Sequence, residues 1–292
     1  MAPDISAITM TGEYPIPKPE IDVFGVTHIG KVRPINQDHF VVATVHKRLD
    51  VHAASLLDLA ALGDGDDRLA TLAAVADGVG SGVGGEQAAK FVVERMLRYL
   101  GHARRCYEAH DETADGFVND LQRAAMACHV ELVGRRHEDP SLTGLSTTLT
   151  LVLGVWPWIY LLQAGDSRYY LYREGVLKQI TRDQTLAQEL VDQGVLSRAE
   201  APSSMLANVL SSSIGGPESE PVISRIRSDW RNVHLLCSDG LTKHVPDARI
   251  AERLRDMTSA RQACQALLQD ALEDGGTDNV TVVIGRAVSW AT

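Results

Sequence analysis

Three acidic pairs lie far apart in the chain, each at the edge of an apolar run. Asp77-Gly78 ends the run LATLAAVADG, Asp239-Gly240 ends VHLLCSDG, and Asp278-Asn279 opens a further run in GGTDNVTVVIG. Carboxylates at strand ends, gathered from distant parts of a chain, can form a site for Mg²⁺ or Mn²⁺, because these cations prefer oxygen ligands. A single Asp-Gly pair is more commonly a hairpin turn. The interpretation therefore depends on the sequence around all three pairs.

Apolar patterns predict the elements that would position these residues. Short strands are expected at 21–28, 39–45, 71–76, 146–154, 158–165, 168–174, 176–181, 233–238 and 279–288, with a tight turn at Glu174-Gly175. Amphipathic patterns predict helices over 86–101, 112–136, 247–257 and 259–273, the last with Ser259 as its N-cap. Antiparallel hairpins grouped apart from helices indicate the α+β class, with two packed, mainly antiparallel β-sheets flanked by helices.

Three stretches fall outside this pattern. Residues 1–20 contain four prolines and predict an extended N-terminal segment, and 46–69 predicts a surface insertion between strands. Residues 182–216 combine one short helical pattern with Pro, Ser and Gly, which predicts an irregular flap.

Composition narrows the class of protein. The chain has 292 residues and a net charge of −10, which argues against a nucleic-acid partner. It lacks the apolar run of ~18–20 residues needed to cross a membrane, and its start does not resemble a secretory signal. We therefore expect a cytoplasmic protein without a membrane partner. Cys128, Cys237 and Cys264 have apolar neighbours and no metal-binding spacing, so core positions are expected rather than disulfides or a zinc site.

Five segments, taken together, carry a family resemblance. They are GKVRPINQD (30–38), VADGVGSGVGGEQAA (75–89), LSTTLTLVL with QAGDSRYYLY (145–153 and 163–172), LLCSDGLT (235–242) and GGTDNVTV (275–282). In this order and spacing they resemble the metal-dependent protein phosphatases, the type 2C serine/threonine family, and look most like bacterial members. The resemblance covers roughly residues 21–288, which would form one phosphatase domain with an αββα sandwich fold.

The resemblance implies a mechanism and a site. Phosphoserine and phosphothreonine in proteins would be hydrolysed by a hydroxide bridging two divalent cations, Mg²⁺ or Mn²⁺, held ~3.5–4 Å apart. Asp77 would bridge both cations, Asp239 and Asp278 would hold one, and the Gly78 carbonyl would help hold the other. Glycine at 78 would leave room for the cations and their waters.

Further residues take their roles from the same resemblance. Asp38 would act through water or by supporting the ligands, and Arg33 would clamp the phosphate, because a planar guanidinium holds two oxygens at once. Asp166 either holds a third cation together with Asp239 or caps a turn. Asn279 is expected to support the loop rather than bind metal.

The chain departs from the family pattern at several places, among them Gln37 where some relatives have a glutamate and 81–83 where bacterial members often have Gly-His. Val79 stands where several eukaryotic members have a histidine that acts as general acid, so the proton would come from a metal-bound water or another donor. Lys243 and His244 stand where an acidic residue is common.

Alternatives to the phosphatase hypothesis remain open at this stage. One is a catalytically inactive module of the same fold that binds phosphoproteins, and another is a phosphatase dedicated to a stress-response regulator. The first would be expected to lose carboxylates or the clamp, and the second usually carries a sensor domain, for which the sequence predicts no room. Phosphorylated proteins, a serine/threonine kinase or its targets, are the expected signalling partners.

Overall fold

The structure is a computed structural model that describes residues 20–47, 67–80, 83–102, 114–139, 144–229 and 231–288. The strands in these ranges are β1 (Glu20–His28), β2 (His39–Lys47), β3 (Asp67–Ala76), β4 (Leu149–Val155), β5 (Trp158–Ala164), β6 (Arg168–Arg173), β7 (Val176–Gln179), β8 (Val222–Arg227), β9 (Val233–Cys237) and β10 (Val280–Val288). The helices are α1 (Val83–His102), α2 (Ala114–Glu138), α3 (Leu186–Asp192), α4 (Asp239–Thr242), α5 (Asp247–Arg255) and α6 (Ala260–Glu273).

The strands form two five-stranded antiparallel sheets. One has the order β1-β10-β9-β6-β7 and the other the order β2-β3-β4-β5-β8. The sheets stack face to face through a buried layer contributed by both: Val75, Val152, Ile159, Leu161, Tyr169, Leu236 and Val283. The helices cover the outer faces, with α1 and α2 on the second sheet and α4, α5 and α6 on the first. The α+β prediction of two packed sheets flanked by helices is confirmed.

The period of two along each strand explains why both faces are apolar. On β5, Ile159 and Leu161 point between the sheets, whereas Tyr160 and Leu162 point to the helices. β10 alternates in the same way, with Val283 between the sheets. Both strands therefore contribute to two cores, one between the sheets and one beneath the helices.

Most predicted elements are present, with boundaries shifted by a few residues. Helix α1 begins three residues before its predicted start, and Ser259 caps α6 by accepting a hydrogen bond from the Gln262 N–H. Glu174 and Gly175 both have positive φ, as a tight hairpin turn requires. Cys128, Cys237 and Cys264 are buried in the cores, as predicted.

Two elements, β8 and α4, were not predicted from the sequence. Strand β8 has the sequence VISRIR and forms the edge of its sheet beside β5. Its serine and arginines interrupt the apolar alternation by which a strand is predicted, but charged residues are common on exposed sheet edges. Helix α4 is a single turn in which Asp239 is the first residue, whereas the sequence placed that residue in a turn after a strand.

The extended segment and the insertion fall mainly outside the described residues, at 1–19 and 48–66. The insertion was expected at 46–69, but β2 continues to Lys47 and β3 begins at Asp67. The stretch 182–216, predicted as a flap, contains α3 and a short 3₁₀ helix at Ala201–Ser203. Within the described ranges, the structure contains no helix whose length and apolarity would let it cross a membrane.

Candidate metal centre

Strand order brings four aspartates together in two pairs. β9 and β10 are antiparallel neighbours, so Asp239, just after β9, lies beside Asp278, just before β10. β2 and β3 are antiparallel neighbours in the other sheet, so Asp38 and Asp77 lie side by side. Because the sheets are stacked, both pairs meet at one end of the sandwich.

Asp38 connects the two sheets. Its Oδ2 atom accepts hydrogen bonds from the Ser238 hydroxyl and from the Thr281 hydroxyl, each at 2.7 Å. The residue is 2% exposed, and its Oδ1 atom is buried without a hydrogen-bond partner among the described residues. Burial raises the pKa of Asp38, and the two hydroxyl hydrogen bonds oppose that rise. Ser238 and Thr281 were not singled out in the sequence, although both lie within the motifs that carry the aspartates.

Asp77 is fixed through its backbone. Its N–H donates to the Thr148 hydroxyl at 3.0 Å, and its carbonyl accepts from the Thr148 N–H at 2.8 Å and from the Thr147 hydroxyl at 2.9 Å. A Cβ atom on Gly78 would overlap the backbone of Gly85 at the start of α1. Residue 78 must therefore be glycine because helix α1 approaches it closely. The room that glycine would leave for cations is a separate reason, predicted from the sequence.

Asn279 holds the loop that carries Arg33. Its side-chain nitrogen donates to the carbonyl oxygens of Ile29 and Ile35 at 2.8 and 2.9 Å, and its side-chain oxygen accepts from the Gln37 N–H at 2.9 Å. All three bonds are to backbone groups about 240 residues away in sequence. Asn279 therefore supports the loop, as the sequence predicted.

Two basic side chains bind the Asp239–Asp278 pair. Arg33 contacts Asp278 with both arms of its guanidinium, Nε to Oδ1 at 2.7 Å and Nη2 to Oδ2 at 2.8 Å. The Lys243 ammonium lies 2.6 Å from Asp239 Oδ2 and 2.8 Å from Asp278 Oδ2. Although burial alone would raise it, hydrogen bonds from Arg33 and Lys243 hold the pKa of Asp278 below its usual range.

The ionised forms of Asp77 and Asp166 are destabilised by burial and by the negative charges around them. Burial and then the charges of Asp38, Asp239, Asp166 and Asp278 raise the pKa of Asp77 well above its ordinary value. Burial and the charges of Asp239 and Asp183 raise the pKa of Asp166 to about 8. Mutual repulsion of this kind is relieved by bound cations, whose charge reverses the local preference for protonation.

The donor set fits a hard divalent cation. Every candidate side-chain ligand is a carboxylate, and one buried oxygen of Asp38 lacks a partner. In the described parts of the chain, however, no three His, Cys, Asp or Glu side chains already surround a single point. The carboxylate oxygens are therefore suitable ligands for Mg²⁺ or Mn²⁺. In this structure, however, Asp239 and Asp278 face the basic side chains of Lys243 and Arg33.

Asp166 lies between β5 and β6, where the chain crosses from one sheet to the other. It borders a groove of about 840 Å³, together with Asp239 and Lys243 on one side and flap residues such as Arg198 on the other. At the base of the flap, Arg168 binds the Asp183 carboxylate through Nε and Nη2, with contacts of 2.7 to 3.1 Å.

All the residues singled out from the sequence therefore gather at one end of the sandwich, beside the groove. They are Arg33, Asp38, Asp77, Gly78, Asp166, Asp239 and Asp278. Their roles as ligands or clamp stay predictions.

Known protein phosphatases are similar to this chain in sequence. A family model for protein phosphatase 2C matches residues 58–274. The serine/threonine protein phosphatase PstP of Mycobacterium tuberculosis is 35% identical over 221 residues, which are 76% of this chain and 41% of that protein. The serine/threonine phosphatase stp of Listeria innocua is 30% identical over 207 residues, 70% of this chain and 82% of that protein. The chain thus spans about two fifths of the length of the PstP relatives.

A solved structure gives the same result for the fold. The catalytic domain of PstP, crystallised with two manganese ions, aligns with a TM-score of 0.71 and 29% identity, covering 92% of this chain and 99% of that one. The fold is shared with this catalytic domain of the protein phosphatase 2C class. The chain belongs to the protein phosphatase 2C family.

Proposed function

We propose that this protein is a metal-dependent phosphatase that removes phosphate from phosphoserine and phosphothreonine in proteins. Residues 21–288 form its phosphatase domain. The observation that carries this proposal is the convergence of Asp38, Asp77, Asp239 and Asp278 from two sheets, with mutual repulsion that cations would relieve. An inactive binding module would have no need to keep so costly a cluster.

The carboxylates would hold two divalent cations, Mg²⁺ or Mn²⁺. Asp77 would contact both, Asp239 and Asp278 one of them, and the Gly78 carbonyl the other. When bound, such a pair of cations lowers the pKa of coordinated water and neutralises charge on the phosphoryl group. Asp38 supports the cluster from behind, because its Oδ2 is already held by hydroxyl groups and its Oδ1 is free to accept a further hydrogen bond. Asp166, together with Asp239, would hold a third cation.

Arg33 would hold the phosphate group of the substrate. Its Nε and Nη2 bind Asp278, but its side chain is 42% exposed at the edge of the cluster. A guanidinium there can turn its fork toward phosphate oxygens without leaving the site, since it carries five N–H donors.

The substrate would lie in the groove beside the flap. A chain segment bearing a phosphorylated serine or threonine can reach Asp166 and Asp239 along this groove, whose lining mixes arginine, aspartate and small residues. Loops on a rigid scaffold commonly carry specificity, so the flap at 182–216 would select among phosphoproteins. A serine/threonine kinase or its targets, in the cytoplasm and apart from nucleic acid or membrane, are the proposed partners.

Phosphate release from a phosphothreonine peptide, with and without Mn²⁺, tests the proposal. Release that requires Mn²⁺ and stops on addition of EDTA is the expected result. Folded protein that releases no phosphate with either Mn²⁺ or Mg²⁺, but still binds the phosphopeptide, would favour the inactive binding module instead.

A further inference from the structure

We propose that Lys243 is a tethered counter-ion that competes with a divalent cation for Asp239 and Asp278. Metal binding would then have to displace its ammonium group from the cluster. This inference rests on the metal site of the proposed function.

The position of the ammonium group carries the inference. Lys243 Nζ lies 2.6 Å from Asp239 Oδ2 and 2.8 Å from Asp278 Oδ2. These are the two carboxylates assigned to a single cation, and they come from segments almost 40 residues apart in sequence. A lysine ammonium is a compact point charge with three donors, so it can satisfy two carboxylate oxygens at once, much as a cation would.

The ammonium and a divalent cation cannot share these oxygens. Both are positive, and at contact distance their repulsion in a partly buried site is strong. A cation bound between the two Oδ2 atoms would occupy the position that the ammonium group now holds. A bound cation therefore requires Lys243 to move.

The surroundings of Lys243 allow that movement. The residue directly follows α4, and its side chain is 29% exposed. It borders the groove that also contains Asp166. Its flexible four-carbon stem can carry the ammonium from the cluster into the groove without a change in the backbone. There it would lie near Asp166, which borders the same groove.

A structural ion pair would have the opposite consequence. If Lys243 served to hold Asp239 and Asp278 in the right place for a cation, its removal would weaken metal binding. If it competes, its removal strengthens metal binding. The sign of the change in metal affinity therefore separates the two roles.

The test measures Mn²⁺ binding directly, by titration calorimetry and by electron paramagnetic resonance of free Mn²⁺. Lys243→Met keeps most of the stem and removes the charge, and Lys243→Gln repeats the test with a polar side chain. Lys243→Arg keeps the charge. Lys178→Met is the matched control, because it removes an exposed ammonium from β7 that makes no contact with the carboxylate cluster.

We expect Lys243→Met and Lys243→Gln to bind Mn²⁺ about tenfold more tightly than the wild type, which corresponds to a cost of about 1.4 kcal/mol for displacing the ammonium group. The increase in melting temperature on adding Mn²⁺ should also be larger in these variants. Lys243→Arg and Lys178→Met should bind Mn²⁺ no more tightly than the wild type.

Two other outcomes would contradict different parts of the proposal. Equal or weaker Mn²⁺ binding by both neutral variants would overturn the role of Lys243 and leave the proposed phosphatase intact. A failure of Mn²⁺ to bind to the wild type and to every variant would overturn the metal site itself, and the role of Lys243 with it.

Discussion

Gly240 lies directly against Asn279, so closely that a Cβ atom on residue 240 would overlap the carbonyl oxygen of residue 279. This contact joins the start of α4 to the segment just before β10. Asp239 precedes the glycine and Asp278 precedes the asparagine, so the contact sets the separation of the two carboxylates. The glycine of this Asp-Gly pair therefore serves the site by its lack of a side chain.

Gly240→Ala should disrupt the site and destabilise the fold. Because the overlap is with backbone rather than with a flexible side chain, the two segments must move apart, and overpacking of this kind typically costs about 1–3 kcal/mol. Urea unfolding should report that loss, and Mn²⁺ affinity should fall because Asp239 and Asp278 separate.

A control for this substitution lies in α2. Gly134 has open space around its Cα, and alanine favours the helical conformation, so Gly134→Ala should stabilise the protein by about 0.5–1 kcal/mol. Unchanged stability and Mn²⁺ affinity in Gly240→Ala would show that the contact does not set the spacing of the carboxylates.

Most strands follow from local sequence patterns, whereas the contacts of the site join residues far apart in the chain. The period of two in the apolar runs predicted nine of the strands in the described residues, because each strand is buried on one or both faces. Strand β8 was missed because an edge strand can carry charges and still pair through its backbone. Asp77, Asp239 and Asp278 were found because each adjoins a glycine or asparagine at the edge of an apolar run, whereas Asp38 and Asp166 were found from the motifs that carry the family resemblance.

The contacts around those aspartates were not found, since they join residues far apart in the chain. The Ser238 and Thr281 hydroxyls reach Asp38 across about 200 and 243 residues. The clash that requires Gly78 depends on where α1 begins, which the sequence does not specify. The ion pairs of Lys243 depend likewise on the approach of β9 to β10.

Asp239→Asn should abolish turnover and leave the fold intact. An amide has one neutral oxygen, so it binds a divalent cation and the Lys243 ammonium more weakly than a carboxylate does. Even groups that only support a metal ligand typically contribute about 10–100-fold, so kcat/KM for a phosphothreonine peptide should fall by more than about 100-fold. Circular dichroism and thermal melting would verify that the variant is folded.

Asp256→Asn provides the control, because Asp256 is an exposed carboxylate paired with Arg255 at the end of α5. Its kcat/KM should match the wild type. Activity retained in Asp239→Asn would contradict the assignment of Asp239 as a metal ligand.

His234 should give the fold a pH dependence that is separate from the metal site. The ring accepts or donates a hydrogen bond at 2.8 Å to the Tyr169 hydroxyl, and burial lowers the pKa of His234 from 6.5 to about 4. The unfolded chain therefore binds more protons than the folded protein between these values. The free energy of unfolding should fall as the pH drops from about 6.5 to about 4, by an amount on the order of 2–3 kcal/mol.

His234→Phe removes this titration and keeps an aromatic ring beside Tyr169. We expect the difference in unfolding free energy between the wild type and the variant to shrink as the pH falls from 7 to 4. Urea unfolding at several pH values, with EDTA present throughout, measures that difference. A difference that stays constant with pH would show that His234 titrates alike in the folded and unfolded states.

Arg33→Ala should reduce activity without reducing metal binding. If Arg33 holds the phosphate with two charge-assisted hydrogen bonds, its loss should lower kcat/KM for a phosphothreonine peptide by about 10–100-fold, the equivalent of about 1.5–3 kcal/mol. Mn²⁺ affinity should be unchanged or higher, because Arg33 now binds Asp278, a predicted ligand. Kinetics at saturating Mn²⁺ and a separate Mn²⁺ titration measure the two effects.

Arg33→Lys and Arg255→Ala complete the test of the clamp. Lysine keeps the charge but lacks the planar fork, so Arg33→Lys should recover only part of the lost activity. Arg255 is exposed and paired with Asp256, so Arg255→Ala should behave as the wild type. Full activity in Arg33→Lys would show that Arg33 contributes only its positive charge and not its planar fork. A loss of Mn²⁺ binding in Arg33→Ala would instead make Arg33 a support for Asp278, because the loss of activity would then follow from loss of the metal.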